Sequence, residues 1–195
     1  MNAAVWYLPA LHGPLHLALT AQPKDAANAR GTVRLAVHAP RDPNPLFTLP
    51  RLAAVDALCD GPPWSWRFEE NVFFVPAAGL IAVLPRDRDR LILHRLDVNA
   101  ALAKSAAEYF FVNSRPPSLV PGKRFEYAIE ALSKKGGVSF KLAAGPNGMA
   151  ITRDGRLTWD VPVGLKEAVT VSVIIDDAAG REMTHTVELT PTAPE

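Results

Sequence analysis

The chain has 195 residues, 48% of them hydrophobic, and a formal net charge of +1. This balance is typical of a globular protein with one large or two small domains. Lysines and arginines form no cluster that would follow a phosphate backbone, and the aromatic residues do not alternate with basic ones, so we expect no nucleic-acid partner.

Eighteen prolines and twelve glycines, with short runs of Val, Ile, Leu and aromatic residues between them, predict a mostly β fold. The longest apolar stretch, residues 72–85, is too short for a membrane span. The first residues lack the basic and apolar regions of a signal peptide, and the single cysteine, Cys59, excludes an intrachain disulfide. We therefore expect a soluble chain, cytoplasmic by default, with an envelope-associated location left open.

The N-terminal part shows four apolar runs separated by turn residues and by the polar loop 21–30. These runs are residues 5–9, 15–20, 32–38 and 46–49. Four short antiparallel strands in succession are typical of one blade of a β-propeller.

A similar pattern returns in residues 72–76, 80–84 and 90–94. Pro9 and Pro76 each end an aromatic-rich run, and Gly13 and Gly79 each lie in the turn that follows. The matched positions indicate an internal repeat, so we predict about two propeller-like blades over residues 1–97.

Residues 53–71 form a long connection between the two copies. Trp64 and Trp66 would lie on one face of this segment if it were extended. We interpret the two indoles as a cover for an open blade, or as a binding pair for a sugar or a protein partner.

One helix is predicted over residues 98–109, with Asp97 as its N-cap. A short strand over 109–112 and the rigid Arg115-Pro116-Pro117 segment follow it. Residues 98–115 are therefore predicted to be a helix and linker between two domains.

Residues 116–192 show regular turns and short alternating runs. Asn147-Gly148 and Asp154-Gly155 favour tight reversals, so the segment between and after them predicts a hairpin. The predicted strands are residues 125–130, 138–142, 149–151, 156–159, 169–175 and 183–189. Their number and Trp159 predict a β-sandwich with that tryptophan buried between two sheets.

The string from Gly145-Pro146-Asn147-Gly148-Met149 to Leu157-Thr158-Trp159 resembles the immunoglobulin-like or cadherin-like modules of bacterial surface and multidomain proteins. Residues 5–114 are similar to the last blades of propeller-type repeats that precede such modules. Calcium is not carried over, because the acidic clusters of true cadherins are missing.

We expect no catalytic residues, metal or cofactor. The five histidines, His12, His16, His38, His94 and His185, have no metal-ligand spacing, and we interpret them as structural. Cys59 has no neighbouring base, and the acidic residues fall in turns.

Two classes of function follow. The first is a non-catalytic binding or architectural module that contacts a protein partner, or a second copy, through exposed β edges. The second is a carbohydrate-binding or hydrolytic role at residues 53–71, with Trp64 and Trp66 as its binding residues.

Overall fold

The computed structural model describes residues 4–11, 13–22, 31–40 and 42–192, and these form a mostly β structure with several antiparallel sheets. The chain divides into two compact units, Met1–Glu108 and Tyr109–Glu195. No helix within the described ranges has the length and apolar character needed to cross a membrane.

The first unit begins with an antiparallel sheet in which each strand pairs with the next along the chain. Its strands are β1 (Ala4–Pro9), β2 (His16–Gln22), β3 (Thr32–His38) and β4 (Pro45–Thr48). The inner face of this sheet carries leucines and valines such as Leu17, Leu19 and Leu35, all of them buried. The four predicted strands are confirmed; residues 23–30 of the predicted loop lie outside the described part.

The second sheet of this unit has three antiparallel strands: β5 (Val72–Val75), β6 (Leu80–Val83) and β7 (Ile92–Arg95). A 3₁₀ turn over Pro76–Ala78 leads to Gly79, whose positive φ of 62° closes the reversal between β5 and β6. The three strands predicted over residues 72–94 are confirmed, as a sheet with one strand fewer than the first.

The predicted connection 53–71 is largely helical. It contains α1 (Ala53–Asp56), α2 (Phe68–Asn71) and 3₁₀ turns at Ala57–Cys59 and Pro63–Ser65. Asp56 accepts a hydrogen bond from the Val33 amide at 2.7 Å and pairs with the Arg51 guanidinium, which fixes α1 against β3. Each helix has only four residues, too few for a helical periodicity to be read from the sequence.

The predicted helix 98–109 is shorter than expected. It is α3 (Val98–Lys104), and the Asp97 carboxylate caps it by accepting a hydrogen bond from Ala100 N at 2.8 Å. The helix ends at Ser105, whose hydroxyl donates to the carbonyl of Leu46 in β4, so a tertiary contact stops a run that the alanine content would continue.

The second unit contains a short pair and two three-stranded sheets, all antiparallel. In chain order the strands are β8 (Phe110–Val112), β9 (Arg124–Ala128), β10 (Ala131–Ser133), β11 (Ser139–Ala144), β12 (Ala150–Ile151), β13 (Arg156–Asp160), β14 (Val169–Asp176) and β15 (Glu182–Leu189). The orders are β10-β8, β11-β14-β15 and β12-β13-β9. The predicted hairpin is confirmed as β12 and β13, whereas β10 was not predicted.

Both three-stranded sheets contribute side chains to one core. Phe125, Leu157 and Trp159 come from the β12-β13-β9 sheet, and Val173 and Ile175 from the β11-β14-β15 sheet. Trp159 is only 4% exposed, and its indole N–H donates to the carbonyl of Asn147 at 3.1 Å. The prediction of a buried Trp159 is confirmed.

Candidate functional site

The open edge of β4 is the strongest candidate for a binding surface. Leu49 N donates to Leu35 O at 2.9 Å, and Val37 and Phe47 are opposite each other in the same register. Because backbone groups alternate in direction along an antiparallel strand, the N–H and C=O of Thr48 point away from β3. Among the described residues, neither group of Thr48 has a hydrogen-bond partner.

Helix α3 lies beside this edge and is fixed at both ends. The Asp97 cap orders its first turn. At its other end Ser105 donates to Leu46 O and accepts from Ala107 N at 3.0 Å. The helix is therefore held next to β4 without covering Thr48.

Between the helix and the strand lies a groove of about 580 Å³, which we call the β4–α3 groove. Its lining is formed by Leu46, Phe47, Thr48, Leu49, Pro50, Leu96, Asp97, Ala100, Ala101, Lys104, Ser105 and Ala106. The helical wall is mostly alanine, so it leaves space beside the strand edge. The groove therefore combines unpaired backbone groups with small and apolar side chains, as the addition of an extended strand requires.

The charges of the groove are concentrated on two side chains of the helical segment. The carboxylate of Asp97 is engaged by the amide of Ala100. Lys104 is exposed and, in the described part of the chain, has no ion-pair partner. The groove thus offers a positive charge at its Ser105 end, where the helix meets the strand.

The other edge of the same sheet is partly engaged. Leu11, just after β1, donates its amide to Phe74 O in β5 at 2.9 Å. The end of β1 is therefore joined to the second sheet, which makes β4 the better candidate of the two edges.

The structure separates the two tryptophans proposed as a binding pair. Trp64 is 80% exposed, whereas Trp66 is 3% exposed and packs in a cluster with Trp6 and Phe68. The segment turns through the 3₁₀ turn Pro63–Ser65, so the alternation of an extended chain does not apply. The expectation that both indoles share one face is wrong.

Cys59, which has no neighbouring base in the sequence, is buried. Burial, with the nearby Asp56 carboxylate, raises the pKa of its thiol to about 12, although Arg86 acts in the opposite direction. The thiol is therefore protonated and unreactive near neutral pH.

Asp177 caps its own turn, as predicted for the acidic turn residues. Its carboxylate accepts from the amides of Ala179 and Arg181 and pairs with the Arg181 side chain at 2.7 Å. Burial alone would raise the pKa of Asp177, but hydrogen bonds from Ser133, Arg181 and the turn amides hold it at about 2. These contacts give the Asp177 carboxylate a structural role in its own turn.

The histidines fall into two groups. The Nε2 atoms of His94 and His185 are buried and without a hydrogen-bond partner in the described structure. His16 and His38 instead stack on each other, with ring centres 5.5 Å apart. His12 lies outside the described residues. Within the described ranges, no group of three or more His, Cys, Asp or Glu residues is arranged to hold a metal ion.

Comparison of the chain with protein-family models and with curated proteins finds no match. The strand at 46–49 and the alanine-rich helix are predictable from the sequence as separate elements, but the groove between them is not. The one sequence feature that points to the groove is the high alanine content of this helix, because small side chains leave space beside a neighbouring strand.

Proposed function

We propose that this chain is a non-catalytic binding module that pairs the open edge of β4 with an extended segment of another protein. The observation that carries the proposal is the outward pair of Thr48 backbone groups facing the β4–α3 groove. A strand added there gains main-chain hydrogen bonds from the edge and side-chain contacts from the groove.

The groove also defines the chemistry of the partner. Leu46, Leu49 and Leu96 favour apolar side chains on the added segment, and the alanines of α3 leave room for them. The exposed ammonium of Lys104 favours a carboxylate at the Ser105 end. We therefore propose an apolar, extended segment that carries an acidic side chain as the partner.

At the level of fold, we propose that residues 116–192 form an immunoglobulin-like or cadherin-like module. Two antiparallel sheets that share one core around Trp159 support this. We propose that residues 1–97 are propeller-like blades, which the successive meanders β1–β4 and β5–β7 support. Modules of both kinds present edges and loops for contact with other proteins.

We do not propose the carbohydrate-binding or hydrolytic alternative. A sugar-stacking platform of two indoles needs both rings accessible, and only Trp64 is accessible. A single exposed tryptophan does not distinguish such a site from an ordinary surface residue.

Selection of random peptides displayed on phage, with the full chain as bait, tests the proposal. We expect the selected peptides to be apolar, to carry an acidic residue and to lose binding to Thr48→Pro. Proline removes the outward N–H and leaves the bonds to β3 in place, because it is tolerated on edge strands where that group faces solvent. Thr48→Val, which keeps the N–H, is the matched control and should bind normally.

A second pair of variants tests the groove independently of the strand backbone. Ala100→Trp fills the groove, whereas Ala103→Trp places the same side chain at an exposed position of α3 outside the groove lining. Only Ala100→Trp should block the selected peptides. Equal binding to all four variants would contradict the proposal, and concentration-dependent dimerisation lost in Ala100→Trp would show that a second copy occupies the groove instead.

A further inference from the structure

The edge strand of the second sheet, β7, carries two exposed leucines. Leu93 lies in β7 and Leu91 directly precedes it, and each is 55% exposed. Because the two positions are two residues apart, their side chains project from the same face of the sheet. β7 is the last strand in the order β5-β6-β7. Large apolar side chains on an open edge indicate a surface that another strand can cover.

The backbone of the same residues is directed toward the open edge. Leu96 N donates to Gly79 O at 2.8 Å, in the register that pairs β7 with β6. Because backbone groups alternate in direction along an antiparallel strand, every second residue before Leu96 also points toward β6. Leu93 and Arg95 therefore point away from the sheet, and Leu91 continues the alternation. In the described part of the chain, the outward N–H and C=O groups of these three residues have no hydrogen-bond partner.

The two ends of this edge carry charges of opposite sign. Arg95, at the C-terminal end of β7, is exposed and has no ion-pair partner within the described ranges. Asp89 lies in the bend before the strand, where its exposed carboxylate pairs only with its neighbour Arg90, at 3.0 Å. An antiparallel copy of the same strand runs in the reverse direction, so its acidic end meets the basic end of the first.

We propose that two copies of this chain form a symmetric dimer, in which β7 pairs antiparallel with its own copy about a two-fold axis at Ile92. In this register Leu91 lies opposite the partner's Leu93, and Asp89 lies opposite the partner's Arg95. Each pair occurs twice, because a two-fold interface is formed by the same patch on both copies. The two three-stranded sheets become one sheet of six strands.

The side chains select this register among its neighbours. The backbone permits registers that place outward-pointing residues opposite one another, so the partner strand can shift only by two residues at a time. A shift in one direction puts Leu93 opposite the partner's Asp89, which sets an apolar side chain against a carboxylate. A shift in the other direction puts Asp89 opposite the partner's Asp97, a destabilising pair of like charges. The register centred on Ile92 pairs leucine with leucine and acid with base.

The pattern of the edge favours a second copy over an unrelated strand. Any extended segment can satisfy the outward backbone groups, but an antiparallel copy also matches both leucines and both charged ends. A short strand pair buries little surface, so we expect a weak dimer that dissociates on dilution. The interface lies on β7 and is independent of the β4–α3 groove.

The first test is sedimentation velocity of the full chain from about 1 µM to about 1 mM, the range in which small interfaces associate. We expect a concentration-dependent dimer. Leu93→Lys should weaken dimerisation at least about tenfold, because it removes both leucine pairs and places an ammonium group against each of the partner's leucines. Val163→Lys, at an apolar position of the second unit that is 85% exposed, is the matched control and should dimerise like the wild type.

Exchange of the charges tests the register itself. Arg95→Asp and Asp89→Arg should each weaken self-association at least about tenfold, because each variant sets like charges opposite one another at two places. An equimolar mixture of the two variants should form a heterodimer as strong as the wild-type dimer, since every acidic side chain then meets a basic one. Recovery in the mixture also shows that both variants are folded.

The proposal is overturned if the wild type stays monomeric over the whole range, if Leu93→Lys dimerises as well as Val163→Lys does, or if the mixture of folded charge variants does not associate. Loss of the dimer in Ala100→Trp would also overturn it, because the contact would then lie in the β4–α3 groove. Binding of peptides to β4 is measured separately with Thr48→Pro, so failure of the β7 dimer leaves that proposal standing.

Discussion

Replacing Trp159 with alanine should remove the largest single contribution to the core of the second unit. A buried tryptophan takes about 150–250 Å² out of water, which at about 25 cal/mol per Å² corresponds to about 4–6 kcal/mol before the share retained by alanine is subtracted. Trp159 lies opposite Phe125 in the register of β13 and β9 and shares its core, and the indole N–H bond to Asn147 O is lost as well. We expect Trp159→Ala to lower the free energy of unfolding by about 3–5 kcal/mol.

The assay is thermal and urea unfolding of the full chain followed by far-ultraviolet circular dichroism. For a unit of this size, about 1 kcal/mol lowers the melting temperature by about 4–8 °C, so the second unit should melt more than about 12 °C earlier. Trp64→Ala is the matched control: that indole is 80% exposed, and its removal should cost less than about 0.5 kcal/mol. Equal melting of the two variants would refute a core centred on Trp159.

Three further predictions concern single side chains. Gly155→Ala should lower the free energy of unfolding by about 1–3 kcal/mol, because φ is +91° and the new Cβ would lie 2.8 Å from a backbone carbonyl. Gly148→Ala, at φ +82° with open space around it, should lower that free energy by less. Equal losses in urea melts would contradict this. The pKa of Asp177 is depressed from 3.8 to about 2, so the stability that its carboxylate contributes is complete above about pH 4 and is lost as the pH falls toward 2. The difference in unfolding free energy between wild type and Asp177→Asn should therefore shrink over that pH range. A difference that stays constant with pH would contradict this role of Asp177. Cys59 should react with Ellman's reagent at pH 8 only after unfolding, whereas rapid labelling of the native chain would show that the thiol is accessible.

Local chemistry explains which elements were predictable from sequence. Gly148 and Gly155 adopt positive φ in the turns where the dipeptides Asn147-Gly148 and Asp154-Gly155 indicated reversals. The Asp97 cap was likewise visible, because capping depends on residues within one turn. Strands bounded by such signals were therefore predicted close to their observed bounds.

The features that were not predictable depend on contacts between distant residues. Trp66 is buried because Trp6, sixty positions earlier, packs against it. The early end of α3 depends on the bond from Ser105 to Leu46 across the fold. The groove exists only because that same bond places an alanine-rich helix beside an open strand, and no spacing in the sequence encodes this.

Amide hydrogen exchange at Thr48, resolved by NMR, tests the binding proposal most directly. In the free chain we expect the Thr48 amide to exchange fast, while those of Phe47 and Leu49, which point toward β3, exchange slowly. Saturation with a selected peptide should slow hydrogen exchange of the Thr48 amide at least about tenfold and leave the exchange rates of the Phe47 and Leu49 amides unchanged. A Thr48 amide already as slow as its neighbours, or one unchanged by saturating peptide, would contradict the proposal that β4 is an open edge for strand addition.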